Sequence, residues 1–91
     1  MTRTIQEFPL SLVERQIIEM PIGAHFLSLQ SQGGALTLWA LVAIQLPLRS
    51  VEVTIIGTGY PAPEGVGVTS YVGTTQQGAM VWHVFAKFLV P

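Results

Sequence analysis

Three observations predict an all-β fold, a small antiparallel sandwich or barrel of about seven short strands that is expected to form an oligomer. Runs rich in valine, isoleucine, threonine and aromatic residues recur at short spacing, and glycine or proline stands between most of them. The balance of 49% hydrophobic against 10% charged residues indicates that a neighbouring copy covers part of the surface. At 91 residues the chain is expected to form one domain over 1–91, with a thin core that association would help.

The run over 13–20 is open to two interpretations. Ser11, followed three residues later by Glu14, could cap a short helix. The β-branched pair at 17–18 and the following Pro21 favour a strand instead, and we prefer the strand.

A hairpin is predicted in the middle of the chain. Gly33-Gly34 separates the alternating run 24–32 from the apolar run 35–44, and two glycines at such a point are typical of a two-residue hairpin turn. Both faces of 35–44 are apolar, so we expect this strand to be covered on both sides. Alternation from residue 24 places His25, Leu27 and Leu29 on one face and Phe26, Ser28 and Gln30 on the other.

The remaining elements follow from the same patterns. An edge strand is predicted over 2–8, and Pro9 is expected to stop its ladder. Residues 57–67 hold four glycines and two prolines, which predicts a long exposed loop of the kind that often carries function. The other expected elements are a loop over 45–50, strands over 51–56, 68–74 and 79–85, a polar turn over 75–78 and an apolar tail over 86–91.

Charge and composition exclude several classes of function. The net charge is −1, and the scattered bases argue against double-stranded nucleic acid as a partner. With no cysteine there is no disulfide and no thiolate metal site. The longest apolar run, 35–48, is interrupted and shorter than the about 20 residues that cross a bilayer, and no signal peptide is evident. No membrane association is predicted, and a cytoplasmic location is expected.

The loop that begins at Gly57 is the first candidate for a binding site. Gly57 and Gly59 resemble half of a dinucleotide fingerprint, but the third glycine and the following helical pattern are missing. Two interpretations remain: a turn that needs positive φ, or a loop whose backbone N–H groups approach a polar or anionic ligand. In the second case Thr58 adds a hydroxyl group and Tyr60 adds a ring for stacking.

Histidine and tryptophan supply the other candidates. His25 and His83 are the two histidines and make a poor metal set, so neither a metal nor a cofactor is predicted. His83 is either a packed residue with one hydrogen bond or a group that donates to a phosphate. The chain has enough aromatic residues for a stacking pocket, namely Trp39, Tyr60, Tyr71, Trp82 and Phe85, and core packing is the alternative for each tryptophan.

Catalysis finds little support in the sequence. The chain has no aspartate to orient a histidine, and its five glutamates are spread out. No catalytic residue is predicted, and a small hydrolase with a histidine beside a glutamate ranks third among the possible functions.

Several short motifs occur in an order that resembles a family of small phage and prophage proteins, a domain of unknown function. The resemblance covers nearly the whole chain, and its motifs are distinctive as a set. They are Phe8-Pro9-Leu10, Glu19-Met20-Pro21 with Gly23-Ala24, Leu38-Trp39-Ala40-Leu41-Val42, Gly57-Thr58-Gly59-Tyr60-Pro61, Tyr71-Val72-Gly73-Thr74 and Val81-Trp82-His83-Val84-Phe85.

The resemblance implies a phage context rather than a reaction, and small phage proteins of this kind are often counter-defence factors in the host cell. Such proteins include homo-oligomers that bind a nucleotide-derived immune signal without cleaving it, and phosphate contacts would fall here to Arg3, Arg49, His83 or backbone amides. The alternative is a protein–protein interaction module, either an inhibitor of a host protein or a small virion or regulatory component. The predicted ligand contacts are Trp39, Arg49, Gly57, Thr58, Gly59, Tyr60, Trp82 and His83.

Overall fold

A computed structural model, which describes residues 2–89, is built from seven antiparallel strands and one short 3-10 turn. This confirms the predicted all-β class. No helix among the described residues is long and apolar enough to cross a membrane. The strands are β1 (Thr4–Leu10), β2 (Arg15–Pro21), β3 (His25–Gln32), β4 (Ala35–Val42), β5 (Leu48–Gly57), β6 (Tyr71–Gln77) and β7 (Met80–Phe88), and the 3-10 turn is Val68–Ser70.

The strands form two sheets. One has three strands in the order β1-β4-β3, and the other has four in the order β2-β5-β7-β6. Alternate side chains of both sheets point into the space between them, because successive residues of a strand face opposite sides. The buried core is Leu10, Met20, Ala24, Leu29, Leu36, Leu38, Ala40, Val42, Val51, Val53, Ile55, Val84 and Ala86.

The first strand lies at a sheet edge, as expected, but Pro9 does not stop its ladder. Pro9 stands opposite Thr37, and the pairing continues to Leu10 opposite Leu36. An edge strand needs partners on one side alone, so a residue without an N–H group is tolerated there. The prediction that the strand ends at Pro9 was therefore wrong.

The run that could have been a helix is strand β2. It pairs with β5 from Arg15 opposite Thr54 to Pro21 opposite Leu48. This partner also extends β5 to Leu48, so the predicted loop over 45–50 was wrong in its second half. The cause is a tertiary pairing that the local pattern of 45–50 does not contain.

The predicted hairpin is confirmed, whereas the faces assigned to its first strand were wrong. Gly33 and Gly34 have φ of 58° and 83° and connect Gln32 to Ala35. In β3 a bulge between Phe26 and Ser28 inserts Leu27 as an extra residue, so the alternation changes phase there. As a result Phe26 and Leu29 both pack into the core, although simple alternation places them on opposite faces.

Three boundaries near the C-terminus also differ from the prediction. Residues 68–70 form a 3-10 turn rather than the start of a strand. Strand β6 runs through 75–77 because these polar residues lie on a sheet edge and pair with β7, so the turn contains Gly78-Ala79 instead. Residues 86–88 of the predicted tail belong to β7, which continues to Phe88 opposite Val51, while residues 90 and 91 lie outside the described part of the chain.

Candidate functional site

A second bulge builds the candidate site on the outer face of the four-stranded sheet. In β6 the register shifts between Tyr71 and Gly73, so that Val72 is the extra residue. Tyr71 and Thr74 are three positions apart and would face opposite sides of a regular strand. With the bulge they share a face, and their hydroxyl oxygens lie 2.6 Å apart.

His83 joins this pair from the neighbouring strand. Thr74 stands directly opposite His83, and its hydroxyl oxygen lies 2.9 Å from Nδ1 of the imidazole. On the other side of the ring, the hydroxyl oxygen of Thr58 lies 2.6 Å from Nε2. The four side chains Tyr71, Thr74, His83 and Thr58 thus form one continuous hydrogen-bonded chain, which we call the hydroxyl–imidazole chain.

The protons in this chain can be arranged in two ways. A neutral imidazole has one N–H group, so one nitrogen of His83 donates while the other accepts. If Nδ1 donates to Thr74, then Thr74 donates to Tyr71 and the tyrosine O–H group is free to donate outward. If Nε2 donates to Thr58, the threonine O–H group at that end becomes the free donor. The chain therefore presents a donor at one end and an acceptor at the other.

The loop after β5 delivers Thr58 to this face. The backbone N–H of Thr58 donates to the carbonyl oxygen of Val81 at 3.1 Å, which continues the pairing of β5 with β7 by one residue. Gly59 follows with φ of 89°, and the N–H of Tyr60 donates to the carbonyl oxygen of Gly57 at 3.1 Å. The tight turn explains Gly59, for which positive φ was one of the two interpretations.

Gly57 has a different role, because its φ is not in the positive range. A Cβ atom at Gly57 would lie 2.9 Å from the ring of Tyr60 and 3.3 Å from the ring of Trp82. Gly57 stands opposite Trp82, whose indole packs against the core. The missing side chain therefore lets the Tyr60 ring approach the sheet on its inner face, opposite to the face that bears His83.

Tyr60 and Trp82 differ in exposure. Tyr60 is 66% exposed and borders a groove of about 270 Å³ that is also lined by Leu12, Val13 and Pro61. Trp82 is half-buried, and its Nε1 atom is buried without an acceptor among the described residues. The sequence-predicted contacts Thr58 and His83 thus meet on one face, while Gly57, Tyr60 and Trp82 meet on the other.

Two sequence-predicted contacts lie elsewhere in the described chain. Trp39 is in β4, at the centre of the other sheet, and stands opposite Glu7 and Ser28. Arg49 is at the beginning of β5, opposite Met20. Arg49 and Gly57 are eight positions apart on the extended strand β5, so their Cα atoms are about 26 Å apart. Neither side chain is brought to the hydroxyl–imidazole chain of the same copy.

Three charged groups of the four-stranded sheet, Arg15, Glu52 and Lys87, form a separate cluster. The carboxylate of Glu52 pairs with Arg15 and lies 3.8 Å from the amine of Lys87. Within residues 2–89, neither ring nitrogen of His83 has a carboxylate as its hydrogen-bond partner. The same residues contain no group of three side chains that suits a metal ion. The site is therefore built from neutral donors and acceptors.

Thr74 was missed by the sequence analysis, and Tyr71 was considered for a stacking pocket but was not among the predicted ligand contacts. Their spacing of three suggests opposite faces in a strand, and the bulge at Val72 has no obvious local signal. One available signal was the Tyr-x-x-Thr pattern in a run expected to lie beside the histidine-bearing strand.

Comparisons with known proteins place the chain in a family. Searches of curated proteins and of solved structures found no significant match. The model of one family, described as Domain of unknown function (DUF7352), matches residues 1–89. Because this match covers nearly the whole chain, the protein belongs to the DUF7352 family.

Proposed function

We propose that this protein is a non-catalytic binding protein that sequesters a nucleotide-derived signalling molecule on the hydroxyl–imidazole chain. In a phage setting, such uptake would remove an immune signal from the host cytoplasm. The observation that carries the proposal is the unbroken chain of contacts from Tyr71 to Thr58, with spacings of 2.6 to 2.9 Å on an accessible sheet face.

The tyrosine end of the hydroxyl–imidazole chain suits a nucleobase. Tyr71 is 51% exposed, and its ring lies edge-on to Phe85 with centroids 5.6 Å apart. This contact holds the tyrosine ring in place while leaving part of it open, which is the arrangement that base stacking uses. The hydroxyl group of Tyr71 can then donate to, or accept from, a polar edge of the ligand.

The other end suits a phosphate oxygen. Thr58 is exposed and can donate its O–H group outward when Nε2 of His83 donates to its oxygen. A protonated imidazole would make both ends of the hydroxyl–imidazole chain donors, because each ring nitrogen then donates to its threonine and the O–H groups of Thr58 and Tyr71 are left to donate outward.

Binding without cleavage follows from the neutral surroundings of His83. A general base in nucleophilic catalysis is normally oriented by a carboxylate that also stabilises the imidazolium formed during the reaction. Here Thr74 occupies the position of that group, and a hydroxyl provides no negative charge. The arrangement favours recognition of a ligand over activation of Thr58 as a nucleophile.

Native mass spectrometry tests the proposal directly. The protein is purified from cells with an active nucleotide-signalling defence and from cells without one, and the two masses are compared. We expect the extra mass of a nucleotide in the first sample alone, and this mass would identify the ligand. No added mass in either sample would reject the sequestration function.

Two variants test the location of the site. His83→Ala removes the centre of the hydroxyl–imidazole chain and is expected to abolish the retained mass. Tyr60→Ala is the matched control, because Tyr60 is exposed and lies on the other face of the sheet. Loss of the ligand in Tyr60→Ala with retention in His83→Ala would move the site to the groove beside Tyr60.

That groove supports a second candidate function, the binding of a protein segment. Leu12, Val13 and Tyr60 are exposed around it and Pro61 adds further apolar surface, so an apolar peptide would have several side chains to contact. If mass spectrometry finds no small molecule, a pull-down with Leu12→Asp as the negative control is the next test. Specific capture of one host protein that is lost in Leu12→Asp would favour this function.

A further inference from the structure

The outer face of the three-stranded sheet carries a cluster of apolar side chains. Ile5 is 60% exposed and Leu27 is 49% exposed, while Trp39 and Leu41 lie half-buried on the central strand. We call this surface the three-stranded face. Its residues are Ile5, Glu7, His25, Leu27, Ser28, Gln30, Trp39 and Leu41.

The bulge in β3 helps to create this face. Because Leu27 is the extra residue between Phe26 and Ser28, it can point outward while Phe26 and Leu29 remain in the core. Leu27, Ile5 and Trp39 then line a shallow hollow of about 350 Å³. The sequence predicted that β4 is covered on both sides. Within this copy the core covers one side, whereas Trp39 and Leu41 on the other side are half-exposed to solvent.

The size of the face matches a small interface. Three strands of seven to eight residues cover roughly 14 by 25 Å, from the usual strand spacing and rise per residue. Two such faces in contact would bury on the order of 1,000 Å² of accessible surface in total, which is at the low end of specific interfaces. A reversible dimer is the assembly that this area supports.

Polar groups at the two flanks are complementary under a two-fold axis. Glu7 is on β1 at the level of Trp39, and His25 is on β3 at the level of Leu41. An in-plane two-fold axis along β4 would place β1 of one copy over β3 of the other. Glu7 and His25 would then be about 7 Å apart along the strand direction, which long side chains can bridge. Both flanks would form the same pair, with the imidazole N–H donating to the carboxylate.

We propose that two copies of this chain form a two-fold symmetric dimer through the three-stranded face. Trp39 and Leu41 of each copy lie near the axis, and Ile5 and Leu27 close the apolar contact around them. Glu7 of each copy pairs with His25 of the other copy. The four-stranded sheets lie on the outside of this dimer, so each hydroxyl–imidazole chain stays accessible. The dimer is independent of the proposed ligand.

Sedimentation velocity over a range of protein concentrations tests the proposal. We expect a monomer–dimer equilibrium for the parent chain. Ile5→Lys should raise the dissociation constant of the dimer by more than about tenfold, because it places a charge in the apolar contact. Ile17→Lys is the matched control: Ile17 is 50% exposed but lies on β2 of the other sheet, and this variant should dimerise like the parent.

A charge exchange tests the two-fold geometry. Glu7→Lys should weaken the dimer, and adding His25→Glu in the same chain should restore it because the pair is reversed rather than lost. Circular dichroism checks that each variant is folded. A parent chain that stays monomeric at all concentrations, or a dimer that Ile17→Lys disrupts and Ile5→Lys does not, would overturn the proposal. A double exchange that fails to recover dimerisation would overturn the pairing of Glu7 with His25.

Discussion

Thr74 and His83 lie directly opposite each other on β6 and β7, with the threonine hydroxyl oxygen 2.9 Å from Nδ1 of the imidazole. The same oxygen lies 2.6 Å from the hydroxyl of Tyr71, so Thr74 links the aromatic end of the site to the histidine. This linkage depends on the bulge at Val72, because a regular strand would turn Tyr71 to the other face.

Replacing Thr74 by valine should break the hydroxyl–imidazole chain while keeping the shape of the side chain. We expect a loss of about 1 to 3 kcal/mol in the free energy of unfolding, because the Thr74 hydroxyl makes two hydrogen bonds and each usually contributes about 0.5 to 1.5 kcal/mol. The ring-nitrogen chemical shifts of His83 should also change, because Nδ1 loses its partner. Chemical denaturation and nitrogen NMR provide the two measurements.

Thr4→Val is the control for this variant, since Thr4 is an exposed threonine on the edge strand β1. It should change neither the unfolding free energy nor the His83 signals by a measurable amount. Equal effects of the two substitutions would show that the Thr74 hydroxyl has no special role.

A methyl group at Gly57 should displace the ring of Tyr60. The added Cβ would lie 2.9 Å from this ring, which is exposed and able to swing outward, and 3.3 Å from the more firmly packed Trp82. We expect Gly57→Ala to lower the free energy of unfolding by about 1 to 2 kcal/mol and to shift the tryptophan fluorescence. In the Tyr60→Ala background the same substitution should cost less, and an unchanged cost would contradict this explanation.

Gly73→Ala should be harder to accommodate, because its nearest neighbour belongs to a packed strand. The added Cβ would lie 3.3 Å from Cβ of Leu29, at the place where β6 approaches β3. We expect a loss of about 1 to 3 kcal/mol, measured by chemical denaturation. Leu29→Ala retains its Cβ atom, so the clash should persist in the double variant. A double variant in which Gly73→Ala costs nothing would show that the strands move apart freely.

Leu38 should be among the residues whose loss is most damaging. Its side chain is fully buried in the core, whereas Leu48 is 62% exposed at the start of β5. Leu38→Ala is expected to lower the free energy of unfolding by about 2 to 5 kcal/mol, through lost burial and the cavity left behind. Leu48→Ala, the matched control, should change it by less than about 0.5 kcal/mol. Similar values for the two variants would contradict the placement of the core between the sheets.

Local patterns predicted the elements of this fold better than their boundaries. The Gly33-Gly34 hairpin was predictable because two glycines at φ of 58° and 83° satisfy a backbone requirement that most residues cannot meet. The polar run 75–77 was predicted as part of a turn because its residues are polar. Its actual position in an edge strand depends on pairing with β7, which the local sequence does not reveal. The candidate site was predictable in part: Thr58 and His83 were identified as ligand contacts, Tyr71 was considered only as one of five aromatic residues for a stacking pocket, and Thr74 was not identified.

The sequence by itself determined the all-β class, the seven strands and the alternating residues that make a core, because these depend on backbone preferences and on a period of two along each strand. Apart from the β3–β4 hairpin, the tertiary structure alone decided which strands pair, and it alone decided where the alternation changes phase. Bulges at Leu27 and Val72 bring Phe26 and Leu29 into the core together, and set Tyr71 beside Thr74. A bulge is selected by the fit of one strand to its neighbours and to the core, so its position is a property of the assembled sheets.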